Sequence, residues 1–275
     1  MENITESELF IRAGLVFGWL FLIFWAERRW PYASRKRIQA VRSVGKALWE
    51  QILTPRIRRN LGLWLCNTLL SPLIVLPLTY WATALPWSWR EGVFGGAGGL
   101  IFDLVFLDFL IYWWHRLNHE LPFLWRFHEI HHLDNHLDST SALRFHFGEV
   151  LLSALMRVGF IVLLDIPLFS VFVFEILLLF GTIFHHSNLQ IPATFERILS
   201  SIVVTPSIHW VHHHALRSDT DSNYSTVLSI WDRVFNSRSA QPRFPDMPIG
   251  VEGANDKNLP ALLIRPFRMK EKADK

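Results

Sequence analysis

The sequence predicts an all-α integral membrane protein with four to five transmembrane or re-entrant helices and a cytoplasmic helical cap that carries a histidine-rich di-metal site. Of the 275 residues, 51% are hydrophobic and only 19% are charged, whereas about 25% are charged in a typical soluble domain. The apolar residues form runs long enough to cross a bilayer. All 13 histidines lie between His115 and His214. The chain therefore combines membrane spans with one concentrated set of imidazoles.

The same composition excludes several classes of function. One cysteine, Cys66, leaves no internal disulfide framework and no cysteine-based metal cluster within one chain. The sequence has no glycine-rich nucleotide fingerprint, so it predicts neither an NAD nor a flavin site. A Ser-His-Asp constellation is missing as well. The net charge of +3 says little about partners, and we predict no nucleic-acid partner.

We interpret the chain as a single membrane domain, 1–275, without internal repeats. An acidic N-terminal tail, 1–8, precedes the first span at 9–26, so this span does not resemble a cleaved signal peptide, which has positive charge before its apolar core. The following loop, 27–60, contains ten Lys or Arg and one acidic residue between 28 and 59. A basic loop beside spans is the positive-inside signal and predicts a cytoplasmic location. We expect an amphipathic surface helix there, with Trp49 and Ile52 facing lipid headgroups.

The rest of the chain alternates between apolar and polar segments. A second span at 61–85 contains two prolines that predict kinks. The apolar run at 150–184 is too long for one span, and Asp165-Ile166-Pro167 at its middle predicts a helical hairpin. Counting spans from the basic loop places every histidine on the cytoplasmic side. The remaining segments are the third span at 93–114, two histidine clusters at 115–149, a third cluster region at 185–235 and a polar C-terminal tail at 236–275.

Three histidine clusters have helical spacing. Spacings of three and four residues place side chains on one helix face, and eight imidazoles suffice for two metals with about four ligands each. Imidazole suits Zn, Cu, Fe and Ni alike, and a structural zinc site needs only four ligands. The two Glu-x-x-His motifs that soluble di-iron bundles require, one on each of two helices, are not both present. An all-imidazole pair of irons would keep a high positive charge, which favours an oxidising centre able to attack an unactivated C–H bond. The clusters are His115 and His119; His128, His131 and His132; and His209, His212 and His213.

These clusters, with their flanking residues, resemble the histidine boxes of the membrane fatty acid hydroxylase/sterol desaturase superfamily. Residues 108–119 are similar to the first box and 126–132 to the second. Residues 209–213, with 220–224 and 229–235 downstream, resemble the third. Two intermediate stretches, 143–146 and 184–188, are also similar to family features. The resemblance covers about 103–235, and the ordered set of boxes is specific.

The resemblance implies a non-haem di-iron, O₂-dependent oxygenase that hydroxylates or desaturates a membrane lipid: a sterol, a fatty acyl chain, an ether lipid or a carotenoid. It implies two Fe ions, which Zn can replace on purification. One metal would be bound by His115, His128, His131 and His209, and the other by His119, His132, His212 and His213. His186 would add a further ligand. A separate cytochrome b-type or ferredoxin-type donor with an NAD(P)H reductase would supply electrons, in a bacterial inner membrane or endoplasmic reticulum.

Four other residues are candidates for supporting the metals. Asp108 and Tyr112 share a helical stripe with the first box, and a buried Asp near ligand imidazoles usually accepts their N–H; the alternative is a solvated carboxylate. His146 either lines the metal cavity or packs beside it. Asn223 either lies near the metals or forms a turn.

Several positions depart from the family pattern or stay outside the predicted site. His146 is followed by Phe-Gly-Glu where relatives often have Pro-Leu-Glu, and His214 leaves a one-residue ambiguity in the third box. We expect His136, His185 and His214 to be bystanders and do not assign Glu120 or Glu129 as bridging carboxylates. Two alternatives to an oxygenase remain, a membrane metal-binding or transport protein and an inactive relative with a structural zinc site. A transporter would place its ligands at the bilayer midplane, whereas these histidines lie at span ends.

Overall fold

The computed structural model describes residues 6–33, 53–85, 90 and 95–268, and within these ranges it contains helices but no β-strand. The acidic N-terminus, the amphipathic helix expected around Trp49 and Ile52, and the last residues of the C-terminal tail lie outside the described residues. The helices are α1 (Glu6–Arg29), α2 (Pro55–Leu70), α3 (Leu76–Thr83), α4 (Gly96–Glu120), α5 (Pro122–His132), α6 (Phe147–Leu164), α7 (Leu168–His186), α8 (Ala193–Leu199), α9 (Pro206–His212), α10 (Arg217–Thr220), α11 (Ile230–Val234) and α12 (Leu259–Ile264).

Among the described residues, four helical segments are long and apolar enough to cross a membrane: Pro55–Thr83, which joins α2 and α3, and the helices α4, α6 and α7. The predicted first span, 9–26, falls within α1. Large apolar side chains such as Phe21, Leu73 and Leu163 are exposed on these helices, as expected for surfaces that face lipid. The prediction of an all-helical membrane protein is therefore confirmed.

The prolines of the second span change its hydrogen bonding locally. Residues Ser71–Val75 form a π-helical turn between α2 and α3, with Pro72 inside it. Proline lacks the N–H that an α-helix needs at an interior position, and a π-turn accommodates such an interruption without ending the helix. The predicted irregularity is a π-bulge within one continuous segment.

The predicted hairpin is present as α6 and α7, which meet at Asp165-Ile166-Pro167. Asp165 ends α6 in the left-handed conformation with φ of 50°. Arg90 Nη2 donates to Asp103 Oδ1 of α4 at 2.5 Å, and Ser170 Oγ of α7 donates to Asp103 Oδ2 at 2.6 Å. Asp103 thus fixes the bend of the hairpin to α4. It lies twelve residues before His115, about 18 Å along the helix, and so belongs to the opposite end of the bundle.

The other end of the bundle is closed by a polar cap, which we define as residues 133–146 and 187–268. Glu27 at the end of α1 accepts from the backbone N–H groups of Ser139 and Asn188, both at 2.9 Å. Arg56 at the start of α2 binds Asp134 and Asp138. Burial raises the pKa of Asp134, but the guanidinium groups of Arg56 and Arg144 outweigh it and hold the pKa below its usual value. The polar cap is therefore attached by buried, charge-assisted contacts.

The segment predicted as a polar tail, 236–275, is folded over most of its length. Leu262 of α12 is fully buried and packs with Leu63 of α2 and Ile130 of α5. A Cβ at Gly62 would lie 2.5 Å from the Leu259 side chain, so the glycine permits this close approach. Asp256 binds Arg59, and its Oδ1 accepts from Arg144 Nη2 at 2.7 Å. The segment thus covers the start of α2 rather than extending into solvent.

Candidate metal centre

The histidines lie at the ends of two long helices, α4 and α7, and on two shorter ones, α5 and α9. The first cluster occupies the last two turns of α4. Proline at the first position of α5 and of α9 starts each of these helices, where its missing N–H costs nothing. His186 ends α7, and His213 lies at the C-cap of α9. The nine predicted ligands come from four segments of the chain and all are buried, none more than 8% exposed.

The structure brings these nine histidines together in two groups. Within each group the possible ligand nitrogens all lie within 4.8 Å of one another. The first group has five members and the second has four. They are in contact, because the rings of His132 and His213 stack with centroids 4.3 Å apart. The first group contains His115, His119, His128, His132 and His212; the second contains His131, His186, His209 and His213.

The grouping differs from the division of ligands that the resemblance implied. His131 and His209 join His186 in the second group, instead of sharing a metal with His115 and His128. The reason is the helical repeat. Around the axis of an α-helix, side chains four residues apart point in directions that differ by about 40°. Side chains three residues apart differ by about 60° in the opposite sense. In each HxxHH cluster the first and fifth positions therefore face one centre, and the fourth position faces the other.

The Nε2 atoms meet at the centre of each group. In the second group, His186 Nε2 lies 3.0 Å from the Nε2 atoms of both His131 and His209, and His209 Nε2 lies 3.1 Å from that of His213. In the first group, the Nε2 atoms of His128 and His132 are 3.1 Å apart. Two imidazole nitrogens bound to one metal at about 2.1 Å lie roughly 3–3.5 Å apart. The spacing therefore fits ligands around a single ion.

The opposite ring nitrogen, Nδ1, is held by an acceptor in six of the nine histidines. Four use backbone carbonyl oxygens, which only accept, so Nδ1 must carry the hydrogen and Nε2 is left as a lone pair when the ring is neutral. The carbonyl pairs are His115 with Tyr224 at 2.7 Å, His131 with Arg144 at 3.0 Å, His186 with Thr182 at 2.7 Å and His212 with Ser222 at 2.6 Å. The carboxylate pairs are His128 with Glu149 at 2.8 Å and His119 with Asp221 at 3.3 Å.

These contacts show that the residues fit a metal ion. His131 and His186 both donate from Nδ1, so their Nε2 lone pairs face each other at 3.0 Å, an arrangement that a cation between them stabilises. The Nε2 atoms of His119 and His212 are buried without a hydrogen-bond partner in the described part of the chain. Burial, reinforced by neighbouring imidazoles, lowers the pKa values of five histidines outside the spans well below the usual value, which keeps them neutral at pH 7. These five are His131, His132, His209, His212 and His213.

The other candidates of the sequence analysis lie near the two groups without entering them. Asp108 accepts from the backbone N–H of Val227 and Leu228 and from Trp231 Nε1; the expected contact with an imidazole is not among its hydrogen bonds. It is buried, so the alternative of a solvated carboxylate does not hold either. Because Asp108 lies on the same face of α4 as the first box, its carboxylate can bind residues 227–231, which follow the third box.

Tyr112 and His146 also have structural contacts. The Tyr112 hydroxyl lies 2.9 Å from Ser237 Oγ, and its ring stacks on Phe235. His146 caps α6, accepting from the Gly148 N–H, and its Nε2 lies 3.0 Å from the Leu263 carbonyl oxygen. Both ring nitrogens of His146 are thus used by the backbone, and the packing interpretation fits better than the cavity interpretation.

Asn223 is a turn residue that acts on two ligands. Its φ of 54° is in the left-handed region, which Asn tolerates better than most residues. Its side chain donates to the Ile208 carbonyl oxygen and accepts from the Ser239 N–H. The carbonyl groups on either side of it, those of Ser222 and Tyr224, accept from ligands of the first group. Asn223 therefore forms a turn and also lies close to the first histidine group, so the two expected roles are compatible.

The residues expected to be bystanders have partners elsewhere. His214 Nδ1 lies 2.7 Å from Asp219 Oδ2, so the geometry favours His213 in the third box. His185 Nδ1 lies 3.1 Å from the Thr226 carbonyl oxygen, and its ring packs on His209. His136 packs against Trp210. Glu129 pairs with Arg265 on the face of α5 turned away from the histidines, and Glu120 pairs with Arg116.

Sequence reasoning missed the acceptors that orient the rings. Glu149 was not among the predicted site residues, yet its carboxylate accepts from His128. Phe145 was not predicted either, and it stacks on His131 with centroids 4.3 Å apart. Asp232 accepts from the backbone N–H of Tyr224 and Ser225 and so holds the Asn223 turn. Acidic residues near the boxes could have indicated the carboxylate acceptors in the sequence. Backbone carbonyl acceptors could not be predicted in this way, because every residue has a carbonyl group.

The fold and the site define a helical membrane protein with two adjoining groups of histidines that could each hold a metal ion, at one end of its spans. A profile of the fatty acid hydroxylase family matches residues 100–237, half of the chain, and the protein belongs to this family. The predicted superfamily is confirmed.

Curated relatives are enzymes that act on lipids. The chain is 31% identical to ornithine lipid hydroxylase OlsE of Rhizobium tropici over 171 residues, which are 62% of this chain and 51% of that protein. It is 29% identical to human alkylglycerol monooxygenase over 156 residues, 57% of this chain and 32% of that protein. Mouse cholesterol 25-hydroxylase is 23% identical over 144 residues, 50% of this chain and 46% of that protein. The chain thus spans about half or less of these relatives, and no solved structure matches it.

Proposed function

We propose that this protein is an O₂-dependent non-haem di-iron oxidoreductase that hydroxylates or desaturates an unactivated C–H bond of a membrane lipid. The observation that carries the proposal is the pair of adjoining histidine groups, nine buried imidazoles in all, at one end of the spans. The relatives named above are hydroxylases or monooxygenases of an ornithine lipid, an alkylglycerol and cholesterol. Their names share the insertion of oxygen into a lipid.

The two histidine groups would each hold one iron ion, with the nine residues of both groups as ligands. When bound, the irons supply the activation of O₂ and the oxidation of the C–H bond. The chain's own residues keep the imidazoles neutral by burial and fix their orientation through Nδ1. Neither group contains a carboxylate, so the protein leaves the positive charge of the metals uncompensated within the two groups, which favours a strongly oxidising centre.

The position of the groups supports lateral entry of a lipid. The metal-binding nitrogens lie at the carboxyl ends of α4 and α7 and beside the start of α6, at one end of the spans. The substrate would therefore be a chain whose reacting carbon comes close to the headgroup level. Ligands at the ends of spans disfavour a transporter, whose polar groups lie near the bilayer midplane.

The basic segment at 28–59 supports a cytoplasmic location for the metal groups. α1 ends at Arg29 beside the polar cap, and α2 starts there at Pro55, so both ends of that segment are on the side of the histidines. Electrons would come from a separate cytoplasmic donor, a cytochrome b-type or ferredoxin-type protein with its NAD(P)H reductase.

The test is lipid profiling of cells that express the protein or its variants. Active protein should convert a host lipid to a product that has gained one oxygen atom or lost two hydrogen atoms. His132→Ala and His213→Ala should abolish the product and lower the iron content of the purified protein, because each removes one ligand. His214→Ala is the matched control, because this neighbouring histidine binds Asp219 and should keep both. Full product formation by the His213→Ala variant would contradict the proposal.

A further inference from the structure

A basic cavity lies on the face of α5 that is turned away from the metal groups. It encloses about 210 Å³, less than the roughly 300–1,000 Å³ of common small-molecule sites. Its charged lining has four cations and one acid: Arg126, Lys257, Arg265, Arg268 and Glu129.

Within the described ranges, most of these cations have no carboxylate partner. Glu129 accepts from Arg265 through two hydrogen bonds of 2.9 Å, which uses the one acid of the lining. Arg126, Lys257 and Arg268 are exposed, and within the described ranges none of them forms an ion pair with a carboxylate. Arginine and lysine groups converging on a small cavity match an anion, and a phosphate group in particular.

Exposed apolar side chains belong to the same two segments that line the cavity. Phe123 at the start of α5 and Phe267 after α12 are 58% and 61% exposed, and both contact the ring of Phe127 between them, with centroids 5.5 Å and 5.7 Å apart. Leu121, directly before α5, and Ile264, at the end of α12, are exposed as well. Basic groups next to exposed aromatic and aliphatic side chains are typical of a surface in the membrane interface.

The location of the cavity in the fold agrees with the headgroup level. α5 begins directly after α4, which is one of the apolar spans, and α12 packs on the first turns of another, Pro55–Thr83. Both walls of the cavity thus stand at the ends of spans. Aromatic and basic side chains at such ends contact lipid headgroups.

We propose that this cavity binds the phosphate of an anionic membrane lipid, with the lipid chains lying along the Phe123–Phe127–Phe267 surface. The site is separate from the metal groups and does not depend on their chemistry. An acidic protein partner would also be attracted by the positive charge, but the exposed aromatic rim and the small volume favour a lipid headgroup.

The experiment is native mass spectrometry of the purified full chain in a non-ionic detergent, titrated with phosphatidylglycerol, phosphatidylcholine or inorganic phosphate. Wild-type protein should bind phosphatidylglycerol more tightly than the other two. The triple variant Arg126→Gln/Lys257→Gln/Arg268→Gln should lose about tenfold or more of that affinity, because each basic residue near a membrane surface contributes to anion binding. The control variant Arg58→Gln/Arg197→Gln/Arg233→Gln removes the same charge from exposed arginines outside the cavity and should keep wild-type affinity.

Three results would overturn the proposal. Equal affinity of the wild type for phosphatidylcholine would remove the role of the anion, and equal affinity for inorganic phosphate would remove the role of the lipid. An unchanged phosphatidylglycerol affinity in the triple variant would show that the cavity does not bind the lipid, and an acidic protein would then be the alternative partner. Because the readout needs neither turnover nor metal, a failure here is distinguishable from a failure of the oxygenase proposal.

Discussion

The contact between Glu149 and His128 offers the sharpest test of the metal groups. Glu149 Oε1 accepts from His128 Nδ1 at 2.8 Å, and both side chains are buried. A hydrogen bond to a charged group contributes about 1.5–3 kcal/mol. The second carboxylate oxygen, Oε2, is buried without a partner in the described part of the chain, so glutamine would lose the charge and also bury an unpaired NH₂ group.

Glu149→Gln should therefore weaken metal binding by about 10- to 100-fold, the range found for acceptors behind metal-ligating histidines. The control is Glu129→Gln, one residue after His128 but on a different face of α5, where only the partly exposed ion pair with Arg265 is lost. Metal per chain and competition with a chelator measure the effect on purified protein. If both variants retained metal equally well, Glu149 would not orient His128 towards a metal.

Two further predictions follow from the site. Asn223→Ala should lower metal content, because alanine is strained by about 1–2 kcal/mol at a φ of 54° and lacks the side-chain hydrogen bonds to Ile208 and Ser239. Asn223→Gly loses the same hydrogen bonds but tolerates this φ, so it should lose less metal and less stability. Metal analysis and thermal unfolding of both variants measure this, and equal losses would contradict the role of the backbone conformation. The metal-free protein should lose stability as the pH falls below about 6.5, because the unfolded chain takes up protons that the buried histidines, with their lowered pKa values, do not. Each such histidine contributes about 1.4 kcal/mol per pH unit, so a Tm of chelator-treated protein that stayed constant from about pH 8 to about pH 5.5 would contradict this prediction.

The sequence was sufficient for the helical membrane fold, which depends on local patterns, and it predicted the nine histidines that the structure brings together in two groups. Apolar runs set the spans, and spacings of three and four set the faces that His128 and His132 share. The hairpin was predictable from Asp165-Ile166-Pro167 in the middle of an apolar run. His186 was predicted only through the family resemblance, because it lies at the end of a long helix and has no second predicted ligand at helical spacing.

Spacing determines which histidines within one cluster face the same way, but tertiary contacts determine which histidines of different clusters share a group. His131 joins the second group because α7 brings His186 to 3.0 Å from it, and the sequence separation of 55 residues gives no sign of this. The role of Asp108 was misjudged for a related reason. Asp108 lies on the same helix face as His115, as predicted. Its carboxylate, however, accepts hydrogen bonds from residues 227–231, which pack on α4, instead of from an imidazole.

The contacts around the imidazoles explain why the polar cap has so many buried charges. Four ligand rings are oriented by backbone carbonyl groups, and a carbonyl is fixed in place only if the chain around it is rigid. The carbonyl of Arg144 is held because its guanidinium binds Asp256 and the Ile130 carbonyl oxygen, and that of Tyr224 because its own N–H is bound by Asp232. Removing a charge from the network should therefore alter a metal group that the charge never touches. A buried ion pair adds little net stability, so we interpret these ion pairs as a means of positioning the imidazoles.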